Sequence, residues 1–200
     1  MKRILNVITA FTVSLVLLIV PPTCYSSAAN EKHILNNYPC RVQTGNNCWA
    51  YTIYTMGLYK GKSLAMPEQV MGIFSYANGY NYDGNGATAV ESYNVIKYIF
   101  NDHSPKLSYS QLSNNEIIAQ YSCDYPVFIG GTSKTTGTSH AVALVGYTSG
   151  DTANTVFRIQ VMNPQSGKIE QNFYDPEGET YIHSSDYNNH YLWNCSIRLI

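Results

Sequence analysis

The spacing of apolar residues changes near residue 125, and this change restricts the chain to a few architectures. Before it, apolar residues recur at helical spacing in four segments, 47–59, 67–76, 88–100 and 113–121. After it come segments with strand-like sequence patterns, separated by Gly- or Asn-containing turns, at 126–129, 140–147, 156–162, 169–173 and 193–199. Helices followed by strands favour an α+β fold, with an N-terminal helical half packed on a C-terminal antiparallel sheet half and a cleft between them.

Cys48 stands at the expected start of the first helix. Asn46 or Asn47 is suited to cap that helix, and Cys48 would lie in its first turn. A free thiol has a pKa near ~8.5 and attacks well only as the thiolate. Unpaired N–H groups and the helix dipole favour negative charge at this position. Cys48 is therefore a candidate nucleophile, with an inert buried thiol as the alternative.

Three polar residues could serve such a nucleophile. His140 opens the strand at 140–147 and could move protons between the thiol and a leaving group. Asn163 follows the strand at 156–162 and could accept from the second imidazole nitrogen, holding one tautomer. Gln43 could donate its side-chain N–H to an oxyanion beside the backbone N–H of Cys48. The alternatives are a structural strand histidine, a turn asparagine and a plain loop glutamine.

These segments, in this order, resemble the papain-type cysteine peptidases. They are most similar to the compact bacterial branch with staphopain, streptopain and the bacteriocin-leader peptidase domains, over residues 38–200. The resemblance implies a hydrolase that cleaves polypeptides through a thioester at Cys48, with His140, Asn163 and Gln43 in the roles given above. Gln43 is one residue closer to Cys48 than in papain, and the shorter Cys48–His140 interval implies a shallower cleft.

Two other functions are compatible with a cysteine before a histidine-bearing strand. One is a CHAP-type peptidoglycan amidase or endopeptidase, although such domains tend to carry Glu on the strand after the histidine and residues 157–164 contain no acidic residue. The other is a catalytically silent binding module that retains the fold.

The first 29 residues have the features of a secretory signal peptide. A basic start is followed by an apolar run at 4–20 and by the small residues 27–29. We expect cleavage near Ala29, leaving one domain at 30–200 that is secreted, monomeric and without stable membrane anchoring. Residues 30–39 are expected to be a short extended lead-in, too small for an inhibitory pro-domain, so that a separate protein inhibitor is one possible restraint.

The charge and the cysteine content of the chain limit which binding partners and cofactors are expected. Of 12 basic and 13 acidic residues, the signal segment holds Lys2 and Arg3, so the remainder has a formal charge of −3. With no basic patch, we expect neither nucleic acid nor anionic membrane as a partner. The chain lacks Cys-x-x-Cys and His-x-x-x-His spacings, and no zinc site or other cofactor is expected. Outside the nucleophile, Cys40, Cys123 and Cys195 allow one disulfide and a free thiol, or three free thiols.

Overall fold

The fold is defined by a computed structural model that describes residues 31–151, 155–183 and 190–200. The expected signal segment lies outside these residues. The described helices are α1 (Cys48–Tyr59), α2 (Pro67–Asn78), α3 (Ala89–Ile99) and α4 (Asn114–Ser122). The strands are β1 (Lys32–Ile34), β2 (Lys106–Ser108), β3 (Val127–Ser133), β4 (Ser139–Ser149), β5 (Val156–Asn163), β6 (Lys168–Phe173), β7 (Tyr181–His183) and β8 (His190–Arg198). None of the helices in this part of the chain is long and apolar enough to cross a bilayer.

The helix starts follow local sequence signals. Pro67 occupies the first turn of α2, where its missing N–H leaves no helical hydrogen bond unmade. At the start of α4, the Ser113 side chain accepts from the N–H of Glu116, and the Glu116 carboxylate accepts from the N–H of Ser113. The expected capping box is thus confirmed. Thr88 and Glu91 form a second capping box at α3.

The strands form one antiparallel sheet in the order β2-β8-β3-β4-β5-β6, with β1 paired to β4 and β7 paired to β8. Strand β4 is buried along almost its whole length. Its alternate residues enter two separate cores: Ala141 and Ala143 pack in the core with α1, α2 and α3, whereas Val142 and Leu144 pack in the core with α4. The expected α+β fold, with helices packed on an antiparallel sheet, is confirmed.

The expected lead-in is an integral part of the sheet. Residues 32–34 form β1, and the following Leu35 and Tyr38 are buried in the helical core. Strand β1 lies close against β4 at Gly146, where an added Cβ would lie 2.0 Å from the carbonyl oxygen of His33. Only glycine permits this contact, so the position ties the start of the domain to its central strand.

We expect Gly146→Ala to lower the free energy of unfolding by about 1–3 kcal/mol, because the methyl group would push β1 away from β4. Urea unfolding followed by circular dichroism measures the change. Gly72→Ala is the matched control, since a Cβ at this exposed position of α2 meets nothing within 4 Å. That variant should be about 1 kcal/mol more stable than the parent. Equal stabilities of the parent and Gly146→Ala would show that β1 is dispensable.

Candidate active site

The thiol of Cys48 lies where the first turn of α1 meets β4. Cys48 is the first residue of the helix and is partly buried. Three backbone N–H groups, of Ala141, Trp49 and Cys48 itself, donate toward the sulfur. Ala141 directly follows His140 in β4, so the candidate nucleophile is held beside the strand that carries the candidate base.

Asn47 does not cap α1 as the sequence predicts. It makes no side-chain capping hydrogen bond to the helix. Its Nδ2 donates to the carbonyl of Thr44 at 3.1 Å, and its Oδ1 accepts from the Tyr82 hydroxyl at 2.8 Å. The first N–H groups of the helix therefore stay available to the sulfur and to a substrate oxygen.

A second contact fixes α1 to β4 one helical turn after the thiol. Thr52 Oγ1 donates to the carbonyl of Ala141 at 3.1 Å, and Thr52 is fully buried. Both backbone groups of Ala141 are thereby used by α1, the N–H by Cys48 and the carbonyl by Thr52. Sequence reasoning missed Thr52, although its i+4 spacing from Cys48 places both side chains on one helix face.

His140 is buried at the start of β4, with 7% of its surface exposed. Its Nε2 lies 2.9 Å from Oδ1 of Asn163, and the ring of Tyr191 covers it at a centroid separation of 5.0 Å. Because an amide oxygen only accepts, Nε2 carries the proton and Nδ1 is left as the basic nitrogen. The expected tautomer-holding contact with Asn163 is present.

Asn163 is fully buried at the end of β5, and each end of its amide is occupied. Oδ1 accepts from the Gln165 N–H at 3.0 Å as well as from His140. Nδ2 donates to Oε2 of Glu170 at 2.8 Å. Sequence reasoning missed Glu170, since its position beside Asn163 depends on the register of the β5–β6 hairpin.

Gln43 is held against the turn that follows Asn163. Its backbone N–H donates to the carbonyl of Pro164 at 2.7 Å, which brings the segment before α1 to the end of β5. Its Nε2 donates to the carbonyl of Gly45 at 2.8 Å. One of the two Nε2 hydrogens thus has a partner within the protein, and an oxyanion role would use the other.

Burial dominates the electrostatics of both reactive groups. It raises the pKa of the Cys48 thiol above its ordinary value, and the three N–H donors only oppose the rise. Burial also lowers the pKa of His140, against the hydrogen bond that His140 donates to Asn163 and the charge of Glu170. The helix terminus alone therefore does not bring the pKa of the Cys48 thiol below its ordinary value. Opposite charges that form together offset part of each other's desolvation, so the two groups should titrate as a pair.

The described residues contain neither a disulfide nor a cluster of metal-binding side chains. Cys40, Cys123 and Cys195 are all free thiols, as is Cys48. Across residues 31–151, 155–183 and 190–200, no group of three His, Cys, Asp or Glu side chains is placed to hold a metal ion.

Comparison with known proteins identifies a class of fold. No protein-family model matches the chain, and no curated protein matches it. Among solved structures, it is similar to the peptidase domain of Streptococcus ComA, a bi-functional ABC transporter involved in a quorum-sensing pathway. The match has a TM-score of 0.53 at 12% identity and covers 81% of this chain and 97% of that domain. The fold is thus that of the papain-like peptidase domains.

We expect alkylation of Cys48 to persist well below the pH at which free cysteine stops reacting, because the imidazolium of His140 would stabilise the thiolate. In His140→Ala that charge is absent and burial alone acts, so the midpoint should lie above that of free cysteine. Iodoacetamide labelling followed by peptide mass spectrometry measures Cys48 separately from the other thiols. Matching profiles for the parent and His140→Ala would exclude a functional pair.

Proposed function

We propose that the protein is a cysteine peptidase that hydrolyses peptide bonds through a thioester at Cys48. The carrying observation is the contact of His140 Nε2 with Asn163, which leaves Nδ1 as the base on the strand that holds the Cys48 sulfur. The papain-like fold supports the proposal. The compact bacterial branch named above is the part of this class that the sequence motifs favour.

In the first half of the reaction, His140 Nδ1 takes the thiol proton and the sulfur attacks the carbonyl carbon of the substrate. The C–N bond then breaks as the imidazolium gives its proton to the leaving amine, and a thioester remains on Cys48. The N–H of Cys48 and the free Nε2 hydrogen of Gln43 would donate to the oxyanion.

In the second half, His140 takes a proton from water, and the resulting hydroxide attacks the thioester carbon. The C–S bond breaks, the carboxylic acid product leaves, and the proton returns to sulfur. Tyr191 and the buried position of His140 keep the imidazole from bulk water during both steps. All bonds made and broken involve only substrate, water and the two side chains.

We expect Cys48→Ala to reduce peptide hydrolysis by at least ~10⁴-fold, since no thioester can form, and His140→Ala to cause a similar loss. Asn163→Ala should lose about 10–100-fold, because it orients the base and does not react. Cleavage of a peptide library by the reduced protein, quantified by mass spectrometry, gives these rates and the substrate preference. Cys123→Ala, which removes an exposed thiol, is the matched control and should keep full activity.

Two results would contradict the proposal. Peptide hydrolysis retained in Cys48→Ala would exclude the nucleophile. Release of muropeptides from peptidoglycan without cleavage of any library peptide would favour the CHAP-type alternative. A silent binding module predicts neither activity and a Cys48 thiol that reacts no faster than free cysteine.

We also propose that residues 1–29 direct secretion and that the released chain begins near Asn30. Support for activity without further processing comes from β1, Leu35 and Tyr38, which belong to the folded core and so are not a removable pro-segment. A protein inhibitor, oxidation of Cys48 or narrow specificity would then restrain the enzyme.

N-terminal sequencing of the secreted protein should give a start near Asn30, and reductant alone should give full activity. Cleavage beyond Cys40 should inactivate the protein, because it removes β1 and its core contacts. Activation by that cleavage would contradict this account of its regulation.

A further inference from the structure

The carboxylate of Glu170 lies directly behind the amide that contacts His140. Strands β5 and β6 form a hairpin in which Asn163 pairs with Lys168 and Val161 pairs with Glu170. Asn163 and Glu170 are thus diagonal neighbours on one face of the sheet. Their side chains meet through the 2.8 Å hydrogen bond from Nδ2 to Oε2.

An asparagine amide can present either its oxygen or its nitrogen to a neighbour, and only one choice suits His140. An ionised carboxylate only accepts hydrogen bonds, so the side of the amide that faces Glu170 must be Nδ2. Oδ1 then necessarily faces His140 and the N–H of Gln165. In the reversed amide, Nδ2 would face the N–H of Gln165 and Oδ1 would face the carboxylate, so both of those hydrogen bonds would be lost. Nδ2 could then bond His140 only in the other imidazole tautomer.

We infer that Glu170 is a positioning residue, which fixes the Asn163 amide with its oxygen toward His140 and so selects the imidazole tautomer with a free Nδ1. The inference rests on the proposed function, because that tautomer matters only if Nδ1 serves the thiol. Within the described residues, Glu170 forms no salt bridge, and its hydrogen bond to Asn163 is the contact that orients it.

The charge of Glu170 adds a second effect on the base. It raises the pKa of His140 against the lowering caused by burial. The ring of Tyr191 from β8 also lies against the imidazole. His183 on β7 also lies within the field of Glu170, and its pKa is lowered mainly by burial. A pH profile must therefore separate His140 from His183.

The test compares two substitutions of Glu170. Glu170→Gln keeps an oxygen that can accept from Asn163, and peptide hydrolysis should stay within about five-fold of the parent. Glu170→Leu removes the acceptor that faces Nδ2 of Asn163 and leaves the Gln165 N–H as the contact that opposes reversal of the amide, so kcat/KM should fall about 10–100-fold. In Glu170→Gln the alkaline limb of kcat/KM should move to lower pH, because the imidazolium loses a favourable charge. The same shift in a His183→Gln background assigns it to His140.

A double-mutant cycle separates positioning from a structural role. If Glu170 acts through Asn163, adding Glu170→Leu to Asn163→Ala should change kcat/KM by less than about two-fold. Additive losses, or a Glu170→Leu variant with parental activity, would overturn the inference. Glu177→Gln removes a carboxylate from an exposed position and should have no effect.

Two measurements keep the result interpretable. If Glu170→Leu does not fold, as judged by thermal unfolding, a loss of kcat/KM well beyond about five-fold in Glu170→Gln would overturn the inference, because that variant keeps the acceptor for Nδ2 of Asn163. Alkylation of Cys48 at about pH 6 needs no peptide substrate, and Glu170→Leu should slow it at least about five-fold. Slow alkylation in a protein that cleaves no peptide would reject the proposed function but support the role of Glu170. Parental alkylation in an active peptidase would do the reverse.

Discussion

The candidate site depends on Ala141 of β4, whose backbone hydrogen bonds are completed by helix α1. Pairing of β4 with β5 begins at Ala143, so Ala141 has no strand neighbour on that side. Buried backbone groups need partners, and α1 supplies both, with the Cys48 sulfur at the N–H and the Thr52 hydroxyl at the carbonyl. Because α1 replaces a strand here, the requirement that stabilises the sheet end also places the thiol beside Ala141, the residue that follows His140.

The positions of Cys48 and His140 also determine the electrostatics of this candidate pair. The Cys48 thiol is partly withdrawn from water, and the His140 imidazole beside Tyr191 is buried. Burial therefore favours the neutral form of each group, raising the pKa of Cys48 and lowering the pKa of His140. Two groups lie behind the imidazole. The neutral amide of Asn163 contacts the ring, and the carboxylate of Glu170 on β6 contacts that amide.

Sequence patterns were informative where a signal was local or repeated. The helical and alternating segments gave the fold class, and Ser113 with Glu116 gave a capping box that the structure confirms. The short strands β1, β2 and β7 were missed because three residues are too few to show alternation. Asn47 was expected to cap α1, but Thr44 and Tyr82 compete for its side chain. Such competition depends on tertiary contacts that no local pattern contains.

The candidates Cys48, His140 and Asn163 could be predicted because each lies in a recognisable local sequence motif. Glu170 could not, since one residue of slip in the β5–β6 register would place it on the opposite face of the sheet.

The antiparallel pairing of β1 with β4 also sets where the polypeptide enters the domain. Lys32 lies opposite Thr148, whereas His140 is at the other end of β4. Eight residues of strand separate them, or roughly 25 Å. Anything attached upstream of residue 31 would therefore join the domain at the end of β4 opposite His140 and the candidate active site.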